Sequence, residues 1–386
     1  MWVIVILGFV SLLSDFTYES FRSFAGPFFA SLGANSFYIG LIGGLAYFIS
    51  YSFRLPAGYI ADKFKSYLAT MNIGYYLLLC IPLIAFFNSI YTASTLFLLE
   101  RLGKSIRTPS RDFIISIISQ QSGISQQAGK MFGIHQFLDQ IGAITGPLFV
   151  SLLLSNKINY TSILTFLFIP SILSMFLLLI LSYYITQRKL LHYNWSYNTK
   201  SQQSDNLKKI NLEKIKMIYI LSCCMICLGF LDFSIISFYW EQKKVISLSF
   251  IPLLYSLAMF VSAIGAFLLG LWFDKNMIIS SVSAMIFFLF TSLFILADSI
   301  WIVFIGVLMW GISIAFQGCI IKATFSKLLN PMAKDWGMLY TFMGISFLIG
   351  NSIMGYLISF STIYTILFSI VSKLIGILLM REVFKV

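Results

Sequence analysis

Asp15-Phe16-Thr17-Tyr18-Glu19-Ser20-Phe21 in the first half of the chain is echoed by Asp232-Phe233-Ser234-Ile235-Ile236-Ser237-Phe238 in the second. The shared pattern is D-F-[ST]-x-x-S-F. Gly58-Tyr59-Ile60-Ala61-Asp62-Lys63 is likewise echoed by Gly270-Leu271-Trp272-Phe273-Asp274-Lys275, both reading G-x-x-x-D-K. Gly133 and Gly146 have the same spacing as Gly337 and Gly350. The three matches keep one order, so the chain reads as a large unit used twice.

What surrounds these motifs is apolar. Of 386 residues, 59% are hydrophobic and 10% charged, with a mean hydropathy of +0.90, more than a water-soluble domain carries. A spanning helix needs about 20 apolar residues. Such runs predict twelve helices, at 2–31, 37–61, 67–87, 91–117, 130–155, 159–186, 215–240, 246–273, 277–297, 299–326, 336–360 and 362–380. The fold class is therefore an all-α integral membrane protein, with a six-helix bundle over 1–186, a polar cytoplasmic linker over 187–213 and a second six-helix bundle over 214–386.

The net charge of +12 would suggest nucleic acid in a soluble protein. Here its distribution matters more. With the amino terminus inside, the inner connections receive Lys63, Lys65, Lys130, Lys275, Lys327, Lys334 and the basic linker, while the outer ones receive only Lys157, Lys243 and Lys244. That asymmetry predicts a multi-pass protein of the cell membrane with both termini cytoplasmic, whose partner is the bilayer and not nucleic acid. The first helix lacks a basic leader and a small-residue cleavage site, and is read as retained. Cys223, Cys224 and Cys227 lie in an apolar helix without nearby His or carboxylate and read as small-residue packing, so no metal or cofactor is expected. No Walker-type glycine loop is present, which makes ATP an unsuitable energy source.

With these motifs, the sequence resembles the major facilitator superfamily over essentially its whole length. The resemblance implies two six-helix bundles related by a pseudo-twofold along the membrane normal, a central cavity opening alternately to each side, and a monomer. Gly58 to Lys63 is similar to the family's loop between helices 2 and 3, G-x-x-x-D-[RK]-x-G-R-[RK], and departs from it at Phe64-Lys65-Ser66-Tyr67. The likeness implies gating roles for Gly58, Asp62 and Lys63, with Asp62 as an inner latch, and groups Arg111 and Asp274 with the gate. The plainer reading is that Asp62 and Lys63 mark a cytoplasmic turn. Gly133, Gly142, Gly146 and Pro147 match G-x8-G-x3-G-P, associated in the family with proton-linked exporters, and the likeness adds Gly142, Gly146 and Pro147 to the gating set. They also suit close helix packing with a proline kink.

Charges inside the spans carry the most information, because each costs about 2.5–3.5 kcal/mol at the bilayer centre. Glu100, Lys104, Arg107 and Arg111 fall within roughly 60° of one helix face, with Arg101 and Asp112 on an adjacent face. Asp15, Glu19 and Arg22 share a face of helix 1, and Glu19 and Arg22 are spaced for an in-helix ion pair. His135 and Asp139 stand one turn apart in helix 5. They read either as a proton relay or as a static network in which Lys104 or Arg107 pairs with Asp139.

The proton-coupling set is thus Asp15, Glu19, Arg22, His135 and Asp139. The substrate-binding set is Glu100, Arg101, Lys104 and Arg107 in the first half, with Asp232, Gln317 and Trp310 in the second. The surplus cations favour an anionic solute, while the helix 5 glycines point to export, so direction stays open. Together these features predict a secondary transporter that moves a small-molecule solute with protons. Two alternatives remain. One is a membrane enzyme of prenyl-transfer type, with Asp15 and Glu19 holding Mg2+ on a diphosphate, although Ile236 stands where the second half would need an acid. The other is a transporter-like sensor.

Overall fold

The computed structural model describes residues 2–121, 128–188, 206–329 and 333–384, and every regular element among them is helical. Helices 1 to 6 are Trp2–Ser31, Ser36–Phe64, Tyr67–Phe86, Ile90–Gln121, Ala128–Ser155 and Tyr160–Gln187. Helix 7 comes in two pieces, Asn206–Leu228 and Phe233–Gln242. Helices 8 to 12 are Phe250–Lys275, Met277–Ile295, Ile300–Ser326, Ala333–Leu357 and Thr362–Val383. Among the described residues, 11 helices have the length and apolarity to cross a membrane. The twelfth, helix 4, has the length, but its middle carries the charged run from Glu100 to Asp112. Most of the predicted linker lies outside the described residues, and helix 7 begins at Asn206, earlier than expected.

Asparagines start several of these helices. The side chains of Asn35, Asn159 and Asn276 accept from the backbone N–H of Tyr38, Ser162 and Ile279, satisfying donors that a first turn leaves free. Helix 2 is interrupted at Phe53 because Pro56 has no N–H to offer the Ser52 carbonyl. Helix 10 contains a π turn, Phe316–Ile320, around Gln317.

The break in helix 7 corrects the expectation of a continuous span over 215–240. In a membrane interior every freed backbone group needs a partner, and here side chains supply them. Ser369 Oγ donates to the Gly229 carbonyl at 2.6 Å, and Trp310 Nε1 to the Leu231 carbonyl at 3.1 Å. Asn351 Oδ1 accepts from the Asp232 N–H at 2.8 Å, and the Asp232 carboxylate accepts from the Ser234 N–H at 2.7 Å. Asp232 is thereby the cap of the second piece and not a mid-helix residue.

Two cores hold the first half together. Val3, Ile4 and Leu7 pack with Met71, Ile114 and Leu178 at the end bearing the termini. Phe21, Phe24, Phe28 and Phe29 pack with Phe97 and Leu164 at the far end. The second half has one large core around Trp240, Tyr255, Phe288 and Trp310. The halves meet where helix 1 faces helix 7, helix 2 faces helix 11 and helix 5 faces helix 8. At the far end, Gly26 lies against the Ser234 carbonyl and Gly40 against the Asn351 carbonyl, with no room for a side chain at either.

Within the first half, Gly142 and Gly146 press against the carbonyls of Leu12 and Phe16. This places them in the packing of helix 5 on helix 1. Adding one methyl as Gly142→Ala is expected to force these helices apart and destabilise the protein by about 1–3 kcal/mol, the usual range for overpacking. A thermal melt of the purified variant in detergent checks this, and an unchanged midpoint would show that the seam yields freely.

Candidate functional site

Beside the break in helix 7 the two halves enclose a cavity of about 150 Å³. Helix 1 contributes Tyr18, Glu19 and Arg22, helix 4 contributes Phe97, Arg101 and Lys104, and helix 7 contributes Asp232 and Ser234. Helix 2 lines it from Gly43 through Tyr47 and Tyr51 to Arg54, a rise of roughly 16 Å along the helix axis.

Arg22 is the centre of the site. Its guanidinium lies 3.2 Å from Asp232 and 3.8 Å from Glu19, and it also donates to the Tyr47 hydroxyl. Tyr255 of helix 8 donates its hydroxyl to Glu19. One guanidinium is therefore shared by carboxylates from the two halves, with a phenol from each half completing the set. The in-helix pair of Glu19 and Arg22 forms as the spacing predicts.

Helix 4 divides its charges between two directions. Lys104 lies 3.5 Å from Asp15 of helix 1, and Arg101 lies against the Tyr18 ring. Arg101 donates Nε to Glu100 at 2.7 Å, and Arg107 donates two N–H groups to the other Glu100 oxygen at 3.3 Å. Arg107 also donates to the Gly74 carbonyl at 3.3 Å and stands 4.9 Å from the Tyr75 ring centre, facing helix 3. Such pairing is what makes buried charge tolerable, since attraction and hydrogen bonds offset desolvation.

Several expectations change. Glu100 and Arg107 do not line the cavity; both are buried against helix 3, and they act as a clamp within the first half. Trp310 is also displaced from the substrate set, because its ring is buried among Phe230, Phe233 and Tyr255 and its N–H is taken by helix 7. Gln317 is buried on the π turn, away from the cavity lining. Asp139 accepts from Ser11, and no bond joins it to His135, whose Nε2 is buried without a partner among the described residues. Neither Lys104 nor Arg107 reaches Asp139, because each has a closer carboxylate.

The gate residues also differ from the latch expectation. Asp62 is exposed and accepts from the Tyr67 hydroxyl at 2.9 Å, a local bond to the start of helix 3. Lys63 lies 5.7 Å from the Phe64 ring centre, and Arg111 pairs with its neighbour Asp112 at 2.9 Å. Gly58 faces Pro109 of helix 4. Pro147 lies within helix 5. Asp274 is near the end of helix 8, with its side chain outside the described residues.

The family model of the Major Facilitator Superfamily matches residues 7–335. The chain belongs to that superfamily. As a superfamily member it is a multi-pass membrane transporter and not an enzyme, which removes the prenyl-transfer alternative. An uncharacterized protein of Mycobacterium tuberculosis is 27% identical over 98% of this chain and 91% of its own length. An uncharacterized MFS-type transporter of Methanocaldococcus jannaschii is 34% identical over 41% of this chain and 38% of its own. Among solved structures, the nucleoside transporter NupG superposes with a TM-score of 0.72 at 15% identity, covering 100% of this chain and 99% of that one. A peptide transporter POT in complex with sulfate gives a TM-score of 0.74 at 13% identity, covering 98% and 94%. At such identities these likenesses establish the superfamily fold of two six-helix bundles and leave the solute open.

Among the polar and aromatic residues at this site, sequence reasoning missed Tyr47, Tyr51, Arg54 and Tyr255. Arg54 had a usable signal, a lone cation within the apolar run of helix 2. The tyrosines had none, because aromatic residues are spread throughout the chain and only packing brings Tyr47 and Tyr51 to the cavity and Tyr255 to Glu19.

Proposed function

We propose that the protein moves a small organic solute across the cell membrane by alternating access, coupled to protons, with both termini cytoplasmic and a single chain as the working unit. The observation that carries this reading is the sharing of Arg22 between Glu19 of one half and Asp232 of the other. Protonating Asp232 removes the ion pair that joins Arg22 to the second half, and protonating Glu19 weakens the bond it accepts from Tyr255 across the seam, so proton binding and rearrangement are linked around a single guanidinium. The Asp15 and Lys104 pair is a second carboxylate in the same first-half network.

The test uses vesicles containing the purified protein and a trapped pH indicator, challenged with a panel of small acids, amino acids, sugars and nucleosides. At least one solute is expected to change lumenal pH faster than in protein-free vesicles, and Glu19→Gln is expected to abolish that change. Unaltered proton movement in both Glu19→Gln and Asp15→Asn would remove helix 1 from the proton path.

A further inference from the structure

We infer that Arg54 is the recognition group for the carboxylate of a small organic monoacid, an inference that rests on the transporter reading above and names its substrate class. The first support is charge balance. Arg22 has Glu19 and Asp232, Lys104 has Asp15, and Arg101 and Arg107 share Glu100. Arg54 also lines the cavity, yet among the described residues no carboxylate lies within 4.0 Å of it. Of the four cations that line the cavity, Arg22, Arg101 and Lys104 each have a carboxylate partner, and Arg54 is the one whose complement is open to a bound anion. A single carboxylate occupies one guanidinium fork, so the acid needs only one such group.

The second support is presentation. Arg54 Nε donates to the Ser50 carbonyl at 2.9 Å, fixing one edge of the guanidinium. Tyr51 and Tyr340 flank the group, with ring centres 5.1 and 5.6 Å from its carbon. The two terminal nitrogens make no hydrogen bond among the described residues, and their planar fork has the geometry that binds a carboxylate through both oxygens. Tyr51 belongs to helix 2 and Tyr340 to helix 11, so an acid bound here touches both halves at the seam.

The third support is size. A cavity near 150 Å³ accepts a molecule of about the size of benzene. Tyr18, Tyr47, Tyr51 and Phe97 give the cavity an aromatic wall for the organic part of such a molecule. An acid between lactate and benzoate in size fits both the charge and the space.

The experiment is thermal stability and equilibrium binding of the detergent-solubilised full chain with acetate, lactate and benzoate, their matched amides, a dicarboxylate and inorganic phosphate. At least one monocarboxylate is expected to raise the melting temperature by binding the folded state, while its amide does not. Arg54→Gln is expected to weaken that acid about tenfold or more, the usual effect of losing a charge-assisted hydrogen bond. Arg54→Lys keeps the charge without the fork and is expected to fall between. The ligand-free melting temperature of Arg54→Gln is expected to stay near that of the parent, because no carboxylate loses its partner.

The inference is overturned if Arg54→Gln binds the acid as tightly as the parent. Stabilisation by amides equal to that by acids overturns it, as does stabilisation by phosphate or the dicarboxylate alone, or by no monocarboxylate. Proton-linked movement of a neutral solute in the vesicle assay would overturn this assignment and leave the transporter reading standing.

Discussion

Glu100→Ala is expected to destabilise the protein by about 3–5 kcal/mol, the range for removing one partner of a buried ion pair. Its carboxylate is fully buried and accepts hydrogen bonds from two arginines, one on each oxygen. Without it, Arg101 and Arg107 are two buried cations that have lost the carboxylate they share. The loss is a large part of the 5–15 kcal/mol that holds a typical protein folded. A sharp fall in melting temperature, or failure to recover folded protein, is the expected observation. Adding Arg107→Met to Glu100→Ala removes one stranded cation and is expected to restore part of the loss. A double variant no more stable than the single one would show that the two residues are not coupled.

Arg22→Gln carries the largest expected effect on transport. Arg22 touches Glu19, Asp232 and Tyr47, and its guanidinium carbon lies 5.9 Å from the Tyr255 ring centre. Its loss leaves carboxylates from the two halves without the cation they share, so attraction across the seam becomes repulsion. About 3–4 kcal/mol lost at such a centre corresponds to roughly 10²–10³ in rate. The expected result is a decrease of that size in solute-driven proton movement, with Arg22→Lys retaining part of the activity. Movement within a few-fold of the parent in Arg22→Gln would show that the bridge is incidental to the working cycle.

Much of the fold could be read from the sequence, for physical reasons. A bilayer imposes the length of each span, so apolar runs mark helices closely. The duplicated D-F-[ST]-x-x-S-F motif identified the two helices that supply Glu19, Arg22 and Asp232 to one site. Local spacing also worked where partners share a helix, as with Glu19 and Arg22.

It failed where partners come from different helices. A helical projection placed Glu100, Lys104, Arg107 and Arg111 on one face, but it could not show that Glu100 and Arg107 turn to helix 3 while Lys104 reaches Asp15. The break in helix 7 was hidden by high apolarity, although Gly229 followed by Asp232 and Ser234 is the composition of a helix stop and a new cap. Arg54 was readable as a lone cation in an apolar run, but its neighbour Tyr340 comes from the other half and had no signal in the local spacing.

In the proposed cycle protons act on the arrangement of the two halves through Glu19, Arg22 and Asp232. Spin labels at Lys65 and Lys275, exposed positions after helix 2 and at the end of helix 8, report this as a distance recorded in lipid at acidic and alkaline pH without solute. The expected result is a distance distribution that shifts between the two pH values in the parent, with the shift lost in Glu19→Gln and in Asp232→Asn. A parent distribution that does not change with pH, or an identical shift in both variants, would show that protonation of Glu19 and Asp232 does not move the halves.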